Sequence, residues 1–361
     1  MTLPAAAHDL VARLPKVELH LHLDGSLRPL TALELGLARG LFASCTTVEV
    51  VADRLRAPMP CRDQAELLAA FELPLTILQD AEALERAAAE LVMDVAGDGT
   101  IYAEVRWAPA LHTLRRLTVS QVIAAVAAGT RRGTAQVRAA GGGIQVRLIA
   151  VAMRSHSPAR NEAVARAAVA AMAEGLVGFD LAGPEAAYPD PLVHRRAFGI
   201  ARAGGLGITA HAGEWGGPAQ IRRALALDPT RIAHGAPAVD DPALMAELTR
   251  RAVTLDLCPT SNWQAGLFPR LADHPLPRLL RAGVPVTLST DDRTVSDLTL
   301  GREYERALDP LDLSVGELWA MDRHALEVAF LGHEPQVRER LRAQMTAFEA
   351  REPSLGPQAT D

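Results

Sequence analysis

The stretch GITAHAGEWGGPAQIRRALALDPTRIAHG, residues 207–235, holds a β-rich run, a helical segment opened by Pro218, and a second β-rich run. Strand, helix, strand is the crossover unit of a parallel sheet, because parallel neighbours cannot be joined by a tight turn. Working outward, the same order recurs. Runs bounded by turn residues occupy 17–22, 100–107, 144–153, 177–181, 207–212, 231–234, 253–258 and 284–290. Segments with helical spacing lie between them at 81–96, 120–140, 158–174, 191–203, 218–227, 241–251 and 276–281. Several open with Ser, Asp or Pro, residues that supply an acceptor or a preset φ at a helix start. Eight strands alternating with helices predict an α/β fold, a (β/α)8 barrel of TIM type. A doubly wound sheet competes, but no G-x-G-x-x-G follows the first strand. Residues 31–80 insert extra helices between strands one and two, and 314–350 add two at the C-terminus. Residues 1–350 read as one barrel domain and 351–361 as a disordered tail.

The composition narrows the chemistry. Of 361 residues, 37 are Lys or Arg and 43 Asp or Glu, and the only lysine is Lys16. A Schiff-base lysine, a P-loop lysine or a carboxylated bridging lysine would have to be this residue. A net charge of −6 offers no basic footprint for nucleic acid or an anionic membrane, so a small molecule is the expected partner. Cys45, Cys61 and Cys258 form no C-x-x-C pair, which points to a reducing, cytoplasmic setting and to small buried hydrophobes. The first residues lack a signal-peptide pattern, and no apolar run reaches membrane-spanning length.

Active sites of such barrels lie at the C-terminal ends of the strands, and those ends are polar here. Strand one ends in His20-Leu21-His22-Leu23-Asp24-Gly25, strand five in His211-Ala212-Gly213-Glu214, strand six in His234-Gly235 and strand eight in Ser289-Thr290-Asp291-Asp292. A period of two puts the His20 and His22 imidazoles on one face of a strand. With His211 and Asp291 they make a three-nitrogen, one-oxygen shell that suits zinc and leaves room for water, although iron, manganese or cobalt could take the same ligands. Glu214, in the loop beyond the fifth strand, reads as a general acid or else as a carboxylate at a helix N-terminus. His234 is a ligand, a base for water or a core histidine, the second role being favoured. Asp291 and Asp292 are adjacent, so in an extended segment one faces a metal and the other a ligand, unless Asp292 caps the next turn. Strand four carries Asp180 and no lysine, which argues for one metal ion. A nucleophile elbow, His-Glu-x-x-His and Pro-Cys-x-x-Cys are all absent.

Seven motifs, in order, resemble the adenosine deaminase family of amidohydrolase barrels. They are LPKVELHLHLDGS (14–26), YAEVRWAP (102–109), GFDLAG (178–183), HAGE (211–214), RIAHG (231–235), CPTSN (258–262) and STDD (289–292). The resemblance implies one zinc ion held by His20, His22, His211 and Asp291. It implies that Glu214 protonates purine N1, that His234 orients or deprotonates the attacking water, and that Asp292, the Gly183 N–H and Asp24 contact N7, N3 and the ribose 5′-hydroxyl. The implied reaction is hydrolytic deamination of adenosine and 2′-deoxyadenosine to the inosine form plus ammonia, a step of purine salvage. It also implies a lid around residues 71–78, a segment that reads equally as a core helix interrupted by Pro74. Relatives of this pattern also act on adenine, N6-methyl-AMP or aminodeoxyfutalosine. Asp24 favours a nucleoside with a free 5′-position, since adenine-specific relatives tend to carry Glu there and nucleotide-acting ones Asn; aminodeoxyfutalosine is the nearest alternative, adenine the next. A catalytically dead relative would be expected to lack one of His20, His22, His211, Glu214, His234 or Asp291. Lys16, ahead of strand one, belongs to the barrel floor.

Overall fold

The computed structural model describes residues 5–331 and 334–355, in which eight parallel strands follow one another in chain order. They are β1 (Lys16–His22), β2 (Thr100–Trp107), β3 (Gln145–Met153), β4 (Leu176–Ala182), β5 (Gly207–Ala212), β6 (Arg231–His234), β7 (Thr254–Leu257) and β8 (Val286–Leu288). The barrel closes through a single bridge between Leu21 and Asp291. Asp291 N–H donates to the His20 carbonyl at 3.0 Å, and His22 N–H to the Asp291 carbonyl at 2.7 Å. β8 is shorter than its apolar run because Pro285 has no N–H to donate and the backbone turns at Asp291, where φ is +68°.

Helices follow the strands as the spacing predicts. Asp80, Ser157 and Asp241 accept from backbone N–H groups three residues on, and Thr118 and Ser314 complete capping boxes with Gln121 and Glu317. The insertion after β1 contains four helices, Pro29–Ala38, Val48–Leu55, Gln64–Ala69 and Glu72–Ile77. Pro74 does not interrupt the last of them, because the N–H of a helix's third residue has no intrahelical partner to lose. Three helices lie outside the regular spacing: Ala5–Arg13, Pro259–Gln264 and Leu300–Leu308. The six residues of Pro259–Gln264 are too few for a period to show. At the C-terminus Val315–Val328 and Pro335–Glu349 are the two added helices. Of the tail expected at 351–361, Pro353–Leu355 form a short turn with Leu355 buried, and 356–361 lie outside the described residues. No described helix is long and apolar enough to cross a membrane.

The barrel interior is unusually polar. Arg231 on β6 pairs with Glu104 on β2, donates to Asp256 on β7 at 3.1 Å and to the Val328 carbonyl at 3.0 Å, and stacks on Phe330 with its guanidinium 3.8 Å from the ring centre. Arg106 on β2 donates to Asp180 on β4 at 2.9 Å. Strands two and six, or two and four, are not neighbours, so these pairs meet only through the interior. All five charged side chains are fully buried. Removing one partner strands a charge in low dielectric, so Arg231→Met is expected to cost about 3–5 kcal/mol of stability. The urea midpoint reads this; a variant within about 0.5 kcal/mol of the parent would show that the carboxylates simply take up protons. At the opposite end from the site, Lys16 donates to the carbonyls of Ala12, Leu14 and Asp98 at 3.1–3.3 Å, the floor role expected of it.

Candidate active site

Alternation along β1 sends His20 and His22 to the same interior, and the strand ends of β5, β6 and β8 bring His211, His234 and Asp291 to them. His22 Nε2 lies 3.3 Å from His20 Nε2 and 3.2 Å from His211 Nε2. Asp291 Oδ1 stands 2.9 Å from His20 Nε2 and 3.3 Å from His22 Nε2. His20, His211, His234 and Asp291 each offer an atom within 4.8 Å of the others, so the cluster presents five donors in all. Burial pushes His20 well below the ordinary imidazole range and His22 down to about 3, so both are neutral at pH 7. Asp180 Oδ2, 3.0 Å from His211 Nδ1, favours the proton on that nitrogen and leaves the Nε2 lone pair facing inward. Neutral imidazoles and a carboxylate crowded at these distances, short of protons to share, fit a divalent cation.

Beside them lies Glu214, the candidate general acid. Its carboxylate oxygen lies 3.8 Å from His234 Nε2. Burial, with the carboxylates of Asp291 and Glu185 nearby, holds its carboxyl well above the usual range and so favours the protonated form. Burial likewise pushes Asp24 up to about 6, and burial with Asp291, Asp24 and Glu214 around it pushes Asp292 far up. One oxygen of each has no hydrogen-bond partner. His234 is pushed down to about 4 by burial.

The pocket over this cluster has a volume of ≈ 340 Å³ and is lined by His22, Asp24, Gly183, His211, Glu214, His234, Asp291 and Asp292, with His20 buried beneath. Every residue named from sequence as a candidate ligand, catalytic group or substrate contact therefore lies at or beneath this pocket. The adjacent pair Asp291-Asp292 departs from the extended geometry expected of it: with φ at +68° at Asp291, both side chains line the pocket instead of facing opposite ways. Gly25 is required beneath Asp292, since any Cβ there would overlap its carboxylate. Gly183 has φ +107°, a conformation only glycine takes without strain. The segment 71–78 is a helix and a cover at once. Leu73 and Ile77 are buried, while Phe71 and Leu75 line the pocket beside Leu67 and Leu68.

Several residues that hold the site were not singled out as functional from sequence. Glu185 accepts the N–H groups of Gly213, Trp215 and Gly216 at 2.7–3.1 Å and so shapes the turn that carries Glu214. Ser261 donates to Asp291 Oδ2 at 2.7 Å. Asn262 Nδ2 lies 3.1 Å from His234 Nδ1. Asp180, noted only as the place where a lysine is missing, orients His211. The polar spacing of CPTSN was the one available signal for Ser261 and Asn262; their partners are about 30 residues away in sequence.

Residues 15–347 match the sequence model of the adenosine deaminase family. The adenosine deaminase of Mycobacteroides abscessus is 40% identical over 340 residues, spanning 90% of this chain and 92% of that protein. The adenosine deaminase of Enterococcus faecalis is 36% identical over 321 residues, spanning 89% and 93%. Among solved structures, the N6-mAMP deaminase of Arabidopsis is similar with a TM-score of 0.81 at 28% identity, over 94% of this chain and 99% of that one.

Proposed function

The chain belongs to the adenosine deaminase family, and from that premise we propose that it hydrolyses the 6-amino group of adenosine and 2′-deoxyadenosine, giving the inosine form and ammonia. The observation that carries the reading is Glu214 in the pocket beside the cluster of His20, His22, His211 and Asp291, its carboxyl 3.8 Å from His234 Nε2 and held well above the usual range by burial. His20, His22, His211 and Asp291 would hold a zinc ion, which would supply Lewis-acid activation of water near neutral pH. Glu214 donates its proton to N1 of the purine, which makes C6 electrophilic. His234 orients the attacking water. Asp292 and the Gly183 N–H contact N7 and N3 and fix the plane of the base, and Asp24 takes the 5′-hydroxyl. The apolar cover of Phe71 and Leu75 keeps bulk water from the base.

Purified protein given adenosine is expected to produce the ultraviolet shift that accompanies inosine formation. Turnover of adenine or aminodeoxyfutalosine with none of adenosine would overturn the substrate and leave the chemistry standing. For the sugar contact, Asp24→Asn is expected to lower kcat/KM for adenosine by about 10–100-fold, the scale of a hydrogen bond to a charged group. An unchanged value would take Asp24 off the hydroxyl.

A further inference from the structure

Three side chains behind the site form a line whose protons can be counted from one fixed end. Leu276 N–H is a backbone group and can only donate; its acceptor, at 3.2 Å, is His274 Nδ1. Burial pushes His274 down to about 3, so the ring holds one proton, and that proton must sit on Nε2. His274 Nε2 lies 3.1 Å from Asn262 Oδ1, to which it therefore donates. An amide whose oxygen is turned to His274 presents its NH2 on the other side, 3.1 Å from His234 Nδ1. His234 Nδ1 then accepts, and the single proton of a neutral ring is left on Nε2. That nitrogen faces the pocket, 3.8 Å from both Glu214 Oε2 and Asp291 Oδ2. Asn262, His274 and His234 are all buried, so water does not compete for these bonds.

We propose that Leu276 N–H, His274 and Asn262 act as a tautomer lock on His234, fixing its Nε2 as a hydrogen-bond donor toward the reacting water. The consequence for the site is specific. A nitrogen that carries a proton cannot ligate a metal, so His234 leaves the five-donor cluster and His22 is the third imidazole. Nor can the neutral ring take a proton at Nε2. His234 holds the water through a donated bond and stabilises the negative charge that develops on the attacking oxygen, and it is not a base. Asn262 and His274 are positioning residues that never touch substrate. The inference rests on the deaminase reading only for its effect on rate; the tautomer itself is a property of the free protein.

The test uses zinc-loaded protein labelled with 15N-histidine, at about pH 8, above the ordinary imidazole range. Correlations from the ring carbons' protons to the two nitrogens distinguish a pyrrole-type from a pyridine-type Nε2, and the His234 signals are assigned by their loss in His234→Gln. A protonated Nε2 on His234 is expected, and a protonated Nδ1 would overturn the lock outright. In Asn262→Asp the carboxylate accepts from both rings, so the His234 proton is expected to move to Nδ1. With it kcat is expected to fall by about 10²-fold while KM stays within about threefold, the scale of one misplaced acid–base hydrogen bond. If the proton moves and kcat does not, the donor role is wrong. Should Asn262→Asp fail to fold, the parent spectrum still decides the tautomer. Loss of adenosine turnover by the parent would sink the substrate reading and leave the spectrum unaffected.

Discussion

Glutamine in place of Glu214 is expected to lower kcat by at least about 10²-fold while the protein continues to bind one equivalent of zinc. The substitution keeps the size and most hydrogen-bonding capacity of the side chain and removes only the transferable proton. Glu185, which shapes the turn around Glu214 through three backbone N–H groups, is untouched, so the position of the side chain survives. Zinc content measured with the kinetics separates loss of the acid from loss of the site. A Glu214→Gln enzyme with parental kcat and a full metal complement would refute the acid role. The rate should also fall on the alkaline side as Glu214 loses its proton, a limb that the variant lacks. A stability effect of opposite sign accompanies it in the metal-free protein. A carboxyl whose folded pKa lies above its unfolded value costs stability progressively as pH rises from the unfolded toward the folded value. Glutamine removes that cost, so above about pH 5 the metal-free variant is expected to melt higher than the parent. Melting curves at several pH values check this.

Stripping the metal is expected to abolish turnover, by at least about 10³-fold, with recovery on adding zinc. The physical basis is the donor set: neutral His20 and His22, and His211 with Asp180 Oδ2 3.0 Å from its Nδ1, all within 3.3 Å of Asp291 Oδ1 or of one another. Because burial already keeps protons off His20 and His22, metal binding at neutral pH displaces few protons. The loaded protein should therefore melt higher than the stripped one. At a free metal concentration of 100 times the dissociation constant, linkage contributes about 2.7 kcal/mol, several degrees for a protein of this size. Calorimetry with and without chelator reads this, and Asp291→Asn should lose both the activity and the metal-dependent shift. Full activity in protein shown by elemental analysis to hold no metal would end the hydrolytic reading.

Most of the barrel was legible because strand and helix periods differ and alternate cleanly in this chain. The eight strands fall within a few residues of their expected bounds, and the candidate site residues cluster at their C-terminal ends. What escaped did so for identifiable reasons. The six-residue helix Pro259–Gln264 is too short to show a period, yet it carries Ser261 and Asn262 to Asp291 and His234. The charged interior was invisible because Glu104 and Arg106 on β2 meet their partners Asp180, Arg231 and Asp256 on three other strands. A lone Arg in a strand says nothing about which carboxylate meets it across a barrel.

Sequence by itself determined the architecture, the set of histidines and carboxylates, and their family. These depend on local periodicity and on residue type at strand ends, which are properties of contiguous residues. The tertiary structure alone decided that five donors meet in one cluster, how Asp291 and Asp292 both reach one pocket, and which groups lie against the two nitrogens of His234. Each of those depends on a backbone turn at φ +68° or on side-chain contacts such as that of Asn262 with His234, 28 residues away. Direction and proton position follow from contacts across the barrel, and a linear sequence does not contain them.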